Sequence, residues 1–181
     1  MLEVALRLPR PDDQAVLVGL FADPATRVWN TGPEPGEVAS WITDNAAFGT
    51  DFRTWVVAAA DDDRAVGTAS LFSIDRGQGT ALVGYRTVPA ERGRGVASAA
   101  LRTVARAAFD ELGLYRLQLY HAVANPASCA VARAAGFALE GTLRESYLYG
   151  DGRRYDEHLH ARLRTDALPA ATAAQQETEG S

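Results

Sequence analysis

Residues 83–113 read VGYRTVPAERGRGVASAALRTVARAAFDELG, and three kinds of local order succeed one another within them. The segment Ala81 to Val88 alternates as a strand does, and Pro89 to Gly95 is a short loop with two glycines and two arginines. From Val96 onward, Leu101, Val104, Ala108 and Leu112 recur at the spacing of one helix face, until Gly113 ends the run. Arg116 to Ala122 is again strand-like. A strand, a loop, a helix and a second strand form a crossover, which places the two strands parallel or nearly so.

The loop at the centre of this unit, Arg92-Gly93-Arg94-Gly95-Val96-Ala97, has the physics of an anion site. Main-chain N–H groups at a helix start have no partner within the helix, and the helix dipole favours negative charge there. Gly93 and Gly95 let the backbone approach a bulky diphosphate, and Arg92 and Arg94 supply charge-assisted hydrogen bonds. No Gly-Lys-Ser/Thr follows, so the loop is not a P-loop. A third glycine and a later acidic residue are also missing, so it is not a dinucleotide fingerprint. By itself the motif is equally compatible with a glycine-containing turn whose arginines are solvated.

Upstream, Val4, Leu6 and Leu8 suggest a strand ending at Pro9, and Asp12 or Asp13 is positioned to cap a short helix through Phe21. Pro24 to Gly36 is rich in turn formers, and Glu37 to Ala47 reads as a second short helix turning Val38, Trp41 and Ile42 inward. Thr54 to Ala60, Ala65 to Ile74 and Ala81 to Val88 are expected to form an antiparallel meander. Downstream, Pro126 to Ala135 is a short helix stopped by Gly136. Glu140 to Tyr149 and Arg153 to Leu163 form a hairpin around a Gly-Asp-Gly turn. Residues 1–166 read as one domain, and 167–181 as a polar, disordered tail.

Composition narrows the class. The chain has 181 residues, 47% hydrophobic and 23% charged, enough for one compact core. No apolar run reaches a membrane span, and the first residues lack the pattern of a signal peptide, so a cytoplasmic protein without membrane association is expected. A net charge of −5 argues against general nucleic-acid binding and mildly favours cationic partners. The single cysteine, Cys129, excludes an internal disulfide, and three scattered histidines offer no zinc-type spacing, so no metal site is expected.

Several motifs occur together in order: Gly84-Tyr85 with Pro89, the Arg-Gly-Arg-Gly-Val-Ala loop, Ala108-Phe109 and Leu112-Gly113-Leu114. Asn125-Pro126-Ala127-Ser128, Gly136-Phe137, Glu140-Gly141 and Leu143-Arg144 complete the set. Together they resemble the GNAT N-acetyltransferase superfamily, in particular the RimJ/RimL branch of ribosomal-protein N-terminal acetyltransferases. The resemblance covers roughly residues 4–164.

It implies an α+β, three-layer fold. A mixed, mostly antiparallel sheet would carry helices on both faces, and its one parallel pair of strands would splay into a wedge. It also implies acetyl-CoA as the acyl donor, with direct transfer to a primary amine in a ternary complex. The acceptor would be a protein N-terminus or a small-molecule amine, and a homodimer is compatible with the family. A noncatalytic acyl-CoA-binding domain is the alternative.

The resemblance places the pyrophosphate on the amides of Arg92, Gly93, Arg94, Gly95, Val96 and Ala97. The pantetheine arm would lie along the strand near Val88, whose N–H region is the expected oxyanion donor, and near Asn125 and Ser128. Asn125 and Ser128 could equally cap the following helix. Ser128, then Tyr147, is the candidate proton donor to the departing thiolate. Some relatives carry a glutamate base where Tyr147 stands here, which leaves Glu145, Tyr147 and the strand histidine His121 as candidate bases. Glu145 and Tyr147 should share a strand face by the period of two.

Overall fold

The computed structural model describes residues 2–167, so the tail expected at 167–181 lies outside them apart from Ala167. Seven strands form one sheet in the order β1-β2-β3-β4-β5-β7-β6. They are β1 (Val4–Arg7), β2 (Arg53–Ala59), β3 (Ala65–Asp75), β4 (Thr80–Thr87), β5 (Arg116–Ala122), β6 (Ala138–Leu148) and β7 (Arg154–Leu163). The first four are antiparallel neighbours, β4 and β5 run parallel, and β7 lies antiparallel between β5 and β6. This is the mixed, mostly antiparallel sheet that the resemblance implied, with the parallel pair that the crossover demanded.

Strand β2 shows why both faces carry helices. Its side chains alternate between two cores, with Trp55, Val57 and Ala59 on one face and Val56 on the other. The first face receives α4 (Val96–Arg106), through Val96, Ala100, Leu101, Val104 and Ala105. A single π-type turn, Ala107–Glu111, extends α4 to Gly113, whose φ of 67° closes the helix. The opposite face is covered by α1 (Gln14–Ala22), with Leu17, Leu20 and Phe21, and by α3 (Val38–Asp44), with Val38 and Ile42. No helix among the described residues is long and apolar enough to cross a membrane.

Local expectations fail at three places. The turn-rich stretch after Pro24 contains a helix, α2 (Pro24–Trp29). The Asp23 carboxylate accepts the Thr26 N–H at 2.8 Å and Pro24 stands at the first turn, a start signal that outweighs the later glycines and prolines. Asp13 does not cap α1. Its carboxylate turns back to accept from the Arg10 N–H at 2.8 Å and from the Arg7 guanidinium at 2.7 and 2.8 Å, fastening β1 to the helix entry. Finally, β6 is not a regular strand: its register against β7 shifts twice, and Glu145 sits in the second shift with a φ of 46°.

Candidate functional site

Strands β4 and β5 pair only where Thr80–Leu82 faces Arg116–Gln118. Beyond that point they diverge, and the sheet opens into the expected wedge. A cavity of about 420 Å³ runs from this opening to the N-terminus of α4. A smaller one of about 100 Å³ continues between the strands, sharing Trp29, Asn30, Tyr85, Asn125 and Ser128 and reaching His121 and Tyr149. The opening is held by α2 and its loop: Asn30 Nδ2 donates to the Tyr85 carbonyl at 2.9 Å, and the Arg86 guanidinium donates to the carbonyls of Asn30 and Thr31 at 3.1 and 2.6 Å. Burial pulls Arg86 down to about 10, still charged at neutral pH.

The end of the larger cavity is the arginine–glycine loop. Gly93 and Gly95 both adopt left-handed torsions, with φ of 73° and 80°, and Gly95 is the residue from which α4 springs. Gly93, Gly95, Val96 and Ala97 line the cavity, so the unpartnered N–H groups of a helix start face the space. The two arginines behave differently from the expectation. Arg92 lines the cavity, but its guanidinium is paired with Asp23 and donates to Thr26 Oγ1 at 3.1 Å. Arg94 folds onto Glu91 at 2.7 Å and does not line the cavity. Carboxylates already oppose both charges, which leaves the main-chain amides at the start of α4 as the unopposed donors at this end of the cavity.

Val88 also departs from its expected place. Its N–H donates to the Val66 carbonyl at 2.9 Å, toward β3, and Val88 does not line either cavity. In an antiparallel ladder, hydrogen-bonding direction alternates along the strand, so Val88 and Arg86 face β3 while Tyr85 and Thr87 face the wedge. The neighbouring Thr87, whose amide faces the wedge, does line the larger cavity.

On the opposite wall, α5 (Pro126–Ala134) starts at Asn125, whose side-chain oxygen accepts the Ser128 N–H at 3.2 Å. Asn125 is thus the cap, and the Ser128 hydroxyl is free for another partner. That partner is Tyr85: the two oxygens lie 3.0 Å apart across the wedge. Burial pushes the Tyr85 phenol up, more than its bond to Ser128 lowers it, so the phenol keeps its proton at neutral pH. Tyr85 stands in the sequence only as part of a Gly-Tyr motif; nothing local announces that it will meet a serine 43 positions away.

The candidate bases are dispersed. Tyr147 is 53% exposed, packs its ring against Tyr149 at 5.0 Å and lines neither cavity. Glu145 is exposed, its N–H bonded to Asp156 Oδ1 at 2.8 Å, and it too lies outside both cavities. The irregularity in β6 between Leu143 and Tyr147 breaks the period of two that should have given them one face. His121 alone of the three lines a cavity, the smaller one. It is not a solitary strand histidine. Opposite it in the ladder is His158, its ring stacks on His160 at 5.2 Å, and Cys129 Sγ lies 3.7 Å from His160 Nε2.

Trp29 and Tyr149, which line the smaller cavity, meet each other and Tyr155 edge to face at 5.6 Å. The Tyr149 hydroxyl donates to buried Glu157 at 2.8 Å, and Ser146 donates to the same carboxylate at 2.6 Å. Burial and this neighbouring carboxylate raise the Tyr149 phenol well above its ordinary value.

Comparison with known proteins bears on the family and the fold. The family described as acetyltransferase (GNAT) domain matches residues 3–138. YjcK of Bacillus subtilis (strain 168), named a probable N-acetyltransferase, is 41% identical over 91 residues, which is 50% of this chain and 50% of that protein. YdaF of the same organism, provisionally named a ribosomal N-acetyltransferase, is 36% identical over 95 residues, 52% of this chain and 51% of that protein. The chain thus spans about half the length of the curated relatives it matches. A crystal structure of a spermidine N-acetyltransferase from Vibrio cholerae in complex with CoA and spermine shares the fold. Its TM-score is 0.79 at 21% identity, covering 91% of this chain and 97% of that one.

Proposed function

The chain belongs to the GNAT acetyltransferase family, and from that premise we propose that it transfers an acetyl group from acetyl-CoA directly to a primary amine within a ternary complex. The observation that carries this reading is the continuity of the wedge. One end is a helix N-terminus with two left-handed glycines, suited to a pyrophosphate, and the other is a pair of hydroxyls 3.0 Å apart, suited to a departing sulfur.

In this reading the pyrophosphate rests on the amides of Gly93 to Ala97, and the pantetheine arm lies along the free edge of β4. The amine nitrogen attacks the thioester carbonyl carbon. The developing oxyanion is met by the Thr87 N–H, and the C–S bond breaks as the carbonyl reforms. Ser128 gives its proton to the thiolate and takes one from Tyr85, which burial keeps protonated at neutral pH, while the proton shed by the attacking nitrogen passes to solvent and solvent restores Tyr85. Holding both substrates in one cleft supplies much of the rate.

The acceptor would enter by the smaller cavity, past Trp29 and Tyr149. Electron-rich rings with the Glu157 carboxylate behind them favour a cationic amine. A protein N-terminus, as the relationship to YdaF suggests, and a polyamine, as the structural likeness to the spermidine enzyme suggests, are the two acceptor classes to compare. No carboxylate lines the smaller cavity, where Tyr85, Tyr120, His121 and Tyr149 are the titratable groups. The rate should therefore rise with pH toward the acceptor's own pKa, about 10 for an alkylamine.

The test is CoA release from acetyl-CoA with a panel of N-terminal peptides and polyamines, together with initial-rate patterns. Acetylated amine and intersecting lines are expected. Tight CoA binding without amine-dependent CoA release would instead make the chain a noncatalytic acyl-CoA-binding domain.

A further inference from the structure

The far wall of the wedge holds a cluster that acyl transfer does not use. His121 on β5, Cys129 on α5, and His158 and His160 on β7 each bring one donor atom to within 4.8 Å of all the others. His160 is fully buried and His121 nearly so, while His158 and Cys129 are partly covered.

The hydrogen bonds around the cluster decide which atoms face inward. His121 Nδ1 lies 2.8 Å from the Ala122 carbonyl, and His160 Nδ1 lies 3.3 Å from the Phe137 carbonyl. A carbonyl only accepts, so each ring carries its proton on Nδ1 and presents a bare lone pair at Nε2. Metal-bound imidazoles are held in this way, donating the outer N–H to a carbonyl while the other nitrogen ligates. His121 Nε2 and His158 Nδ1 are buried without any hydrogen-bond partner. Leaving them so costs free energy that a ligated ion would recover.

From this convergence we propose a structural metal site, His121–Cys129–His158–His160, that takes a four-coordinate zinc-type ion. Three imidazoles and one thiolate form a nitrogen–sulfur donor set suited to a borderline-soft, tetrahedral cation rather than to magnesium or calcium. Zn–N bonds of about 2.0 Å and a Zn–S bond of about 2.3 Å put neighbouring ligand atoms roughly 3.3 to 3.6 Å apart. Cys129 Sγ and His160 Nε2 are already at 3.7 Å. The remaining pairs lie within 4.8 Å and close by at most about 1.5 Å, within reach of side-chain rotation. With all four positions filled by protein, the ion has no open place for substrate. It ties α5 to β5 and β7 one residue from Ser128, and so fixes the wall that carries the proposed proton donor.

The site stands apart from the acyl-transfer reading, and its test needs no turnover. The reduced, metal-free chain is titrated with cobalt(II) and then with zinc(II). One equivalent of cobalt should bind, giving a thiolate-to-cobalt charge-transfer band in the near ultraviolet and the strong visible bands of a tetrahedral centre. One equivalent of zinc should abolish both. Cys129→Ala, at a partly exposed helix position, should keep its far-ultraviolet circular dichroism, lose the charge-transfer band and bind zinc at least about 100-fold more weakly. If Cys129→Ala unfolds, the parent's charge-transfer band still reports the thiolate, and His158→Ala, at the other partly covered position, replaces it in the zinc comparison. A parent that binds no stoichiometric cobalt, a weak octahedral spectrum, or a charge-transfer band that survives in Cys129→Ala would overturn the proposal.

Discussion

The wall of the wedge built on β4 and the α4 turn presents main-chain groups, while the wall built on β5, α5 and β7 presents side chains gathered from distant positions. On the first wall Gly93, Gly95 and the helix amides are near neighbours in sequence, and the arginines that looked like its charge are neutralised by Asp23 and Glu91. On the second, Ser128 meets Tyr85 from 43 positions away and Cys129 meets His160 from 31. Substitutions should therefore act differently at the α4 turn and at Ser128, with binding effects at the first and turnover effects at the second.

The sharpest contrast is expected at Ser128. Because Asn125 Oδ1 caps α5, Ser128→Ala removes a hydroxyl without removing the cap. Turnover should fall about 100-fold or more, as for lost acid–base catalysis, with acetyl-CoA affinity and thermal midpoint nearly unchanged. A donor with a better leaving thiol should lose less. A folded, saturated variant turning over at the parent rate would remove Ser128 from the chemistry and erase the distinction between the walls.

Next in size is Gly95→Val. A branched side chain at a φ of 80° is strained by about 1 to 3 kcal/mol and would stand where the phosphate approaches, so CoA affinity should fall about tenfold or more. Calorimetry on the folded variant checks this. Unchanged affinity would mean that the amides at the start of α4 are not the anion site.

Smaller effects separate the arginines. Arg92 lines the cavity and joins the loop to α2 through Asp23 and Thr26, whereas Arg94 lies against Glu91 outside the cavity. Charge reversal at Arg92 should weaken CoA binding by roughly tenfold, and at Arg94 by no more than about threefold, since exposed ion pairs contribute little. Equal losses at both would restore the view that the arginine charges themselves hold the ligand.

The smallest expected effect lies away from both walls. Burial alone would raise the Asp13 carboxyl, but hydrogen bonds from Arg7 and from the Arg10 N–H outweigh it and hold the group below its ordinary value of 3.8. A depressed carboxyl contributes stability that is present above its unfolded value and lost as pH falls through its folded value. The parent should therefore lose thermal stability below about pH 4, and Asp13→Asn should be less stable at neutral pH with a shallower acid decline. An identical slope in both proteins would show that the Arg7–Asp13 bond is not part of the acid response.

The resemblance carried on residues 84–144 led to the fold and to the larger cavity, because the features that build them are local. Helical and strand periods, a glycine pair before a helix and a cap before a proline are each decided within a few residues. The same locality misplaced the candidate bases. Alternation along β6 assumed a regular strand, and only pairing with β7 shows the shift that carries Glu145 and Tyr147 away from the wedge. Val88 lies outside both cavities for a related reason: which edge of β4 an amide faces depends on its register with β3.

By itself, then, the sequence determined the crossover, the buried face of α4 and the two-glycine turn that precedes it, since each follows from residue type and spacing along one element. The tertiary structure decided the Tyr85–Ser128 pair and the meeting of three histidines with Cys129. His158 and His160 share a face of β7 by the period of two, but only the ladder with β5 sets His121 opposite His158, and only the packing of α5 brings Cys129 to His160. Such clusters leave no local signature, because their spacing is set by which strands pair and in what register, and in this sheet β7 comes between β5 and β6, out of chain order.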